Sequence, residues 1–370
     1  MSTAPARIGS VVENGELSPW RDDLITALLA TTVVLGLFLD GWNHINLQNG
    51  ALGGFFTPWH GVLYAGVGAT AAWVLTRNPH LYLRGREPKP YLHPLLGVPL
   101  RYPFALAGLA LATVGIIGDA FWHTLLGEEE GVARVIGPFH LLLFAGAAGL
   151  IAAPFRSAWH APDYYPALAS FRTMLPPLLS LTLITALAAF MFQWLSAFID
   201  WTPSIQIDRV PAGLEGRDDV EGTIEYAGVA RILMTNLILL APILLAMRRW
   251  HLPFGSVTFV FTTVAVLMST LTEFDLGATI LAASVGGLVA GALITWLRPS
   301  LDRPWTYRVV ALVAPLALWS AYFLVLGLVH DIVWPFDLWL GTIGLTGLMG
   351  ALLSYLTAAP APPVSPAPRD

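Results

Sequence analysis

Cysteine is absent from the sequence, which excludes disulfides, thiolate metal sites, iron–sulfur clusters and cysteine nucleophiles together. Any metal must then be held by His, Asp, Glu or Met. Charge is scarce as well. Only 12% of the 370 residues are Asp, Glu, Lys or Arg, about half the fraction usual in a soluble domain. Hydrophobic residues make up 56% of the chain and the mean hydropathy is +0.66, so the expected partner is the lipid bilayer. No basic patch suited to nucleic acid is present, and nucleic acid is excluded as a partner.

A helix crosses a bilayer with about 20 mostly apolar residues. Ten stretches qualify, at 24–40, 57–76, 103–123, 136–155, 173–198, 227–247, 257–274, 277–297, 309–329 and 338–358. The expected fold is an all-α polytopic membrane protein of about ten transmembrane helices. The seventh and eighth stretches are separated only by Glu273, Phe274, Asp275 and Leu276, which predicts a short hairpin. Segments 1–23, 77–102, 156–172, 248–256 and 298–308, with the tail after 358, hold 15 of the 19 basic and 8 of the 24 acidic residues. The opposite segments hold the other 16 acids with only Arg134, Arg209, Arg217 and Arg231. Basic loops stay in the cytoplasm, so both termini are expected inside, in a bacterial cytoplasmic membrane.

This divides the chain into a cytoplasmic segment 1–23, a four-helix region 24–155, six further helices over 156–358, and a Pro/Ala tail 359–370 expected to be disordered. The first helix lacks a convincing small-residue cleavage site and is expected to stay in the mature protein. The acidic loop 199–226 has room for a short ordered lid.

The region 24–155 contains a tandem repeat. Asp40-Gly-Trp-Asn-His44 recurs as Asp119-Ala-Phe-Trp-His123, and Pro58-Trp-His60-Gly-Val-Leu-Tyr-Ala-Gly recurs as Pro138-Phe-His140-Leu-Leu-Leu-Phe-Ala-Gly. The offsets of the Asp and the two His are 79, 79 and 80 residues. Two spans separate the copies, so the hairpins run in the same direction and form a parallel repeat. Asp and His at i and i+4 share one helix face, and a Pro two positions before the last His suits a helix start. Each hairpin thus gathers Asp, His and His at the extracytoplasmic boundary, where the negative end of the first helix dipole favours a cation. Two imidazoles and a carboxylate suit copper, zinc or non-haem iron. Each copy supplies its own three ligands, which predicts two independent mononuclear sites on hairpins packed back to back.

These residues resemble the copper-site motif in the C subunit of the copper-dependent membrane monooxygenases, the particulate methane and ammonia monooxygenases. There a helix ends in Asp-x-x-Trp-His and the next begins near Phe-Thr-Pro-x-His. Here the first copy has Phe56-Thr57-Pro58-Trp59-His60 with Asn43 in the Trp position, and the second has Trp122-His123 with Gly137-Pro138-Phe139-His140. The resemblance covers roughly residues 24–155, and each pair of histidines is separated by 15 or 16 residues, a few more than in that family. It implies copper bound by Asp40, His44 and His60 and by Asp119, His123 and His140. It also implies a monooxygenase-like oxidoreductase acting on a small or lipophilic substrate. With no soluble copper domain in the chain, the electron donor or partner subunits are expected to be separate.

Other polar groups expected on the same side are Glu128, Glu129 and Glu130, Glu273 with Asp275, and His330 with Asp331. The nearer ones can orient ligands or relay protons, although a triple-Glu turn also reads as a solvated loop. His80, His93, His160 and His251 lie among cytoplasmic arginines and read as surface residues. Two competing functions are a metal-ion or solute transporter and a b-type haem electron-transfer protein. Against transport, helices five to ten have almost no ionisable residue in mid-span, where a transporter binds its ion. The charge partition is checked by reporter fusions: those after Arg86, Arg156 and Arg303 should report cytoplasm and those near Glu129 and Asp218 the opposite side. One reversed pair refutes the ten-span arrangement.

Overall fold

The computed structural model describes residues 19–47, 57–77, 102–127, 132–161, 163–205 and 217–358. Among these residues the secondary structure is helical, with no strand. The helices are α1 (Pro19–Asn46), α2 (Pro58–Thr76), α3 (Pro103–Leu126), α4 (Ala133–Ile136), α5 (Pro138–Ile151), α6 (Ala153–Trp159), α7 (Phe171–Met191), α8 (Arg217–Met247), α9 (Ser256–Thr270), α10 (Ala278–Leu297), α11 (Pro304–Val329) and α12 (Phe336–Thr357). Helices α1, α3, α7, α8, α10, α11 and α12 are long and apolar enough to cross a membrane, and the pair α5–α6, bent by 42°, makes an eighth. The 15-residue α9 is shorter. In α2 the 19 residues are diluted by Trp, His, Tyr, Thr and Gly. The ten expected stretches all fall on helices, while seven or eight helices have the length and apolarity of a span.

Several boundaries differ from expectation for local reasons. The first helix starts at Pro19 rather than 24, which takes Asp22 and Asp23 into its buried first turns. The fifth stretch was expected to run to 198, but α7 stops at Met191 and the chain tightens into a 3-10 turn at Gln193–Leu195. The seventh stops at Thr270 because Glu273 and Phe274 take left-handed backbone conformations, with φ of 52° and 65°. Of the loop 199–226, Thr202–Ser204 forms one 3-10 turn. Glu128, Glu129, Glu130, His80, His93, most of segment 1–23 and the tail 359–370 lie outside the described residues.

The two repeat hairpins pack by removing side chains from their contact. A Cβ on Gly36 of α1 would sit 2.6 Å from the Leu63 Cα of α2, and one on Gly115 of α3 would sit 2.9 Å from the Leu143 backbone nitrogen of α5. On the facing helices, Gly66 lies against Thr32 and Val33, and Gly146 against Ala112. These contacts recur at the same 79- and 80-residue offsets as the Asp and His residues. Glycine lets the backbones approach closely, which is how helices associate without a hydrophobic drive between them.

The end of α1 remote from Asp40 fastens the hairpins to each other. Asp23 is fully buried and accepts hydrogen bonds from the Tyr102 hydroxyl at 2.6 Å, at the start of α3, and from the Tyr165 hydroxyl at 2.9 Å. Asp22 pairs with Arg77 at 3.7 Å, just beyond α2. Helix α7, the most buried of the long helices, backs both hairpins: Phe190 meets Phe38 of α1 at a ring separation of 5.1 Å and Phe144 of α5 at 6.1 Å. Helices α8–α12 complete the bundle around uncharged polar contacts, such as Trp319 Nε1 donating to Asn236 Oδ1 at 3.2 Å.

The close approach at Gly36 gives a stability test. Gly36→Ala should cost about 1–3 kcal/mol by overpacking, lowering the thermal midpoint in detergent. Gly68→Ala, where an added Cβ meets nothing within 4 Å, should not destabilise. Equal midpoints for the two variants would refute the close α1–α2 contact.

Candidate metal centre

Each ligand is placed by a helix end. Asp40 and His44 lie one turn apart in the last turns of α1, which ends at Asn46. Asn46 Nδ2 donates to the Leu271 carbonyl at 3.0 Å, tying that end to the turn after α9. Thr57 caps α2 by accepting from the His60 amide at 3.1 Å, and Pro58 opens the helix, so His60 falls in the first turn. In the second copy Gly137 replaces the Thr cap, yet Pro138 opens α5 in the same way and His140 falls in its first turn.

The helix ends converge as the spacing implied. Asp40 Oδ2 lies 3.6 Å from His44 Nε2 and 3.2 Å from His60 Nε2. Asp119 Oδ1 lies 3.4 Å from His123 Nε2 and 3.3 Å from His140 Nε2. Within each trio the three ligand atoms lie within 4.8 Å of one another, close enough to hold one metal ion. Two ligands about 2.0–2.1 Å from a tetrahedral ion stand about 3.3 Å apart, the separation seen here between carboxylate and imidazole.

The carboxylates are buried, with relative exposure of 8% for Asp40 and 2% for Asp119. In each, one oxygen faces the two imidazoles. The other, Asp40 Oδ1 or Asp119 Oδ2, is buried with no hydrogen-bond donor among the described residues. An unsatisfied buried oxygen costs about 1–3 kcal/mol, and more when charged, so the donor set fits a bound cation better than a closed hydrogen-bond network. Trp42 stacks edge-on against Trp59 and Trp122 against Phe139, each at a ring separation of 5.8 Å, beside the two trios.

One expectation about the hairpins fails. They do not pack back to back: Asp40, His60, Asp119 and His140 all line one cavity of about 70 Å³, lined otherwise mostly by apolar side chains from α1, α2, α3, α5 and α7. The inward orientation follows from the buried Asp23 contacts at the far end of α1 and from α7, which covers both hairpins. His44 and His123 do not line the cavity.

The outlying candidates separate. Glu273 accepts from Trp42 Nε1 at 3.3 Å and so reaches the first hairpin through an indole. Asp275 is exposed in the same turn. His330 packs on Trp201 at 5.7 Å, and neither it nor the exposed Asp331 joins a ligand group. His160 is exposed, and the His251 amide donates to the Ala167 carbonyl. Arg231 is taken by Asp200 at 2.6 Å, with the Thr202 hydroxyl accepting at 2.7 Å. Sequence reasoning passed over Tyr64 and Phe144, which line the cavity one turn after His60 and His140. Their positions in the repeat were the available signal.

Comparison with protein-family models, with curated proteins and with solved structures finds no match to this chain.

Proposed function

We propose that this is a ten-span membrane protein with both termini in the cytoplasm, formed by duplication of a two-helix hairpin. In this reading it binds copper at two Asp/His/His sites at the extracytoplasmic boundary. The observation that carries it is the doubled convergence of Asp40, His44 and His60 and of Asp119, His123 and His140, each with one buried carboxylate oxygen lacking a donor. The resemblance to the copper-dependent membrane monooxygenases favours copper over zinc or non-haem iron, and it favours oxidation of a small or lipophilic substrate with electrons from a separate donor. Copper held by such ligands supplies one-electron and dioxygen chemistry. The chain's own contribution is to fix the two imidazoles of each trio around a carboxylate, to exclude water with apolar walls, and to offer a lined space beside the ligands.

The haem alternative is disfavoured by the geometry. A porphyrin between His44 and His60 would occupy the place of Asp40 Oδ2, which stands within 3.6 Å of both Nε2 atoms. Transport is disfavoured because the buried polar residues described in α8–α12, among them Thr235, Asn236, Thr279, Thr342 and Thr346, are uncharged.

Purified protein loaded with copper should hold two equivalents. His44→Ala and His123→Ala should each remove about one, since a lone Asp/His pair is a poor site. Metal content unchanged in both variants, measured by elemental analysis, would show that the trios are structural. Acidification gives an independent check. Imidazole must be neutral to bind metal, and free imidazole titrates near pH ~6.5, so copper should be retained above that region and released as pH falls through or somewhat below it. Release by salt alone, without pH dependence, would indicate adventitious binding to exposed carboxylates.

A further inference from the structure

The two trios match residue for residue, but the cavity between them does not treat them alike. One turn beyond His60 stands Tyr64, and one turn beyond His140 stands Phe144. Both rings line the shared cavity. Tyr64 stacks on the His60 imidazole at a centroid separation of 5.7 Å and an interplanar angle of 27°. Phe144 instead leans on Phe190 of α7 at 6.1 Å. Among the residues lining the cavity, Tyr64 carries the only hydroxyl, and it interacts electrostatically with Asp119 first and with Asp40 second, so it stands between the two centres while its ring rests on His60. The remaining wall is made of Val, Leu, Ile and Ala side chains with Phe144.

This composition restricts what can bind. A cavity of about 70 Å³ accommodates a ligand of a few heavy atoms, since a water needs only about 10–15 Å³. An anion among apolar walls is desolvated and needs a cation beside it, which here means the metal ions of the preceding reading, on which this inference rests. Apart from the imidazoles that hold the metals, the side-chain donor lining the cavity for its outer atom is the Tyr64 hydroxyl.

We propose that Tyr64 makes the two metal centres unequal: in the shared cavity its hydroxyl donates to a small anionic or oxygen ligand on the metal held by Asp40, His44 and His60. Phe144 gives the Asp119, His123 and His140 centre no such donor. Tyr64 is therefore a positioning residue that selects which of the two matched centres takes an exogenous ligand.

The test uses the full chain loaded with two equivalents of cupric ion and titrated with azide, followed by the azide-to-copper charge-transfer band with copper content measured on the same sample. In the unaltered protein one copper should bind azide about tenfold more tightly than the other. Tyr64→Phe should retain two coppers and lose that tenfold preference, leaving one weak class. Phe144→Tyr should raise the second centre to the affinity of the first. Two coppers with unchanged azide binding in Tyr64→Phe would overturn the role of Tyr64 while leaving the metal sites standing. A chain that holds no copper would remove both readings. Should Tyr64→Phe fail to fold, the Phe144→Tyr titration decides alone, and no gain there overturns the proposal.

Discussion

A carboxylate taken out of water at the edge of an apolar bundle loses several kcal/mol of solvation, and it stays ionised only where other charges or donors replace the water. That requirement is met in this molecule in three ways. Asp23 meets it with the hydroxyls of Tyr102 and Tyr165, and the half-buried Asp200 meets it with Arg231. Asp40 and Asp119 each face two imidazoles through one oxygen and leave the other without a donor. The first two solutions are complete within the protein. The last, made twice with the same residue types, could be completed by a cation, which is why the trios read as candidate binding sites while Asp23 and Asp200 read as fastenings.

Convergence of the ligands depends in turn on how near the helices come. Asp and His on one helix end and His on the next meet only if the helix axes are close near that end. The Gly36–Leu63 and Gly115–Leu143 contacts set that distance, with Gly66 and Gly146 repeating it from the facing helix. The matched spacing therefore covers more than the Asp and His residues: the small residues that let them meet recur in the same register. A ligand pattern arising by chance would not be expected to carry its packing contacts along.

Much of this was legible in the sequence, and for local reasons. Asp and His four apart must share a helix face, and Pro-x-His must place its histidine in a first turn, so the trios followed from spacing alone. Helix ends were less legible. Apolarity continues past Met191 and Thr270, whereas the chain turns where the backbone of residues 192–196 tightens and where Glu273 and Phe274 take positive φ. The relative facing of the two hairpins was not legible at all. It is decided by contacts between residues more than a hundred positions apart, such as Tyr165 with Asp23 and Phe190 with Phe38, and no local pattern encodes them. The back-to-back expectation failed there, and with it went the significance of Tyr64, which matters only once both sites open on one space.

The remaining helices acquire a role from the same geometry. Helix α7 contributes Leu187 to the cavity wall and places Phe190 against both Phe38 and Phe144. It also blocks growth at Gly41, one residue beyond Asp40, where an added Cβ would collide with the Phe190 ring. Helix α9 and the turn after it hold α7 from behind and receive Asn46 and Trp42 from the end of α1. A carboxylate can be held beside two imidazoles only if the wall behind it does not yield. Helices α8–α12, with their large buried side chains and uncharged polar contacts, are suited to support that wall. The division of labour is then one of chemistry, with the two Asp/His/His trios at the ends of α1–α5 and a mostly apolar bundle behind them that keeps their surroundings low in dielectric.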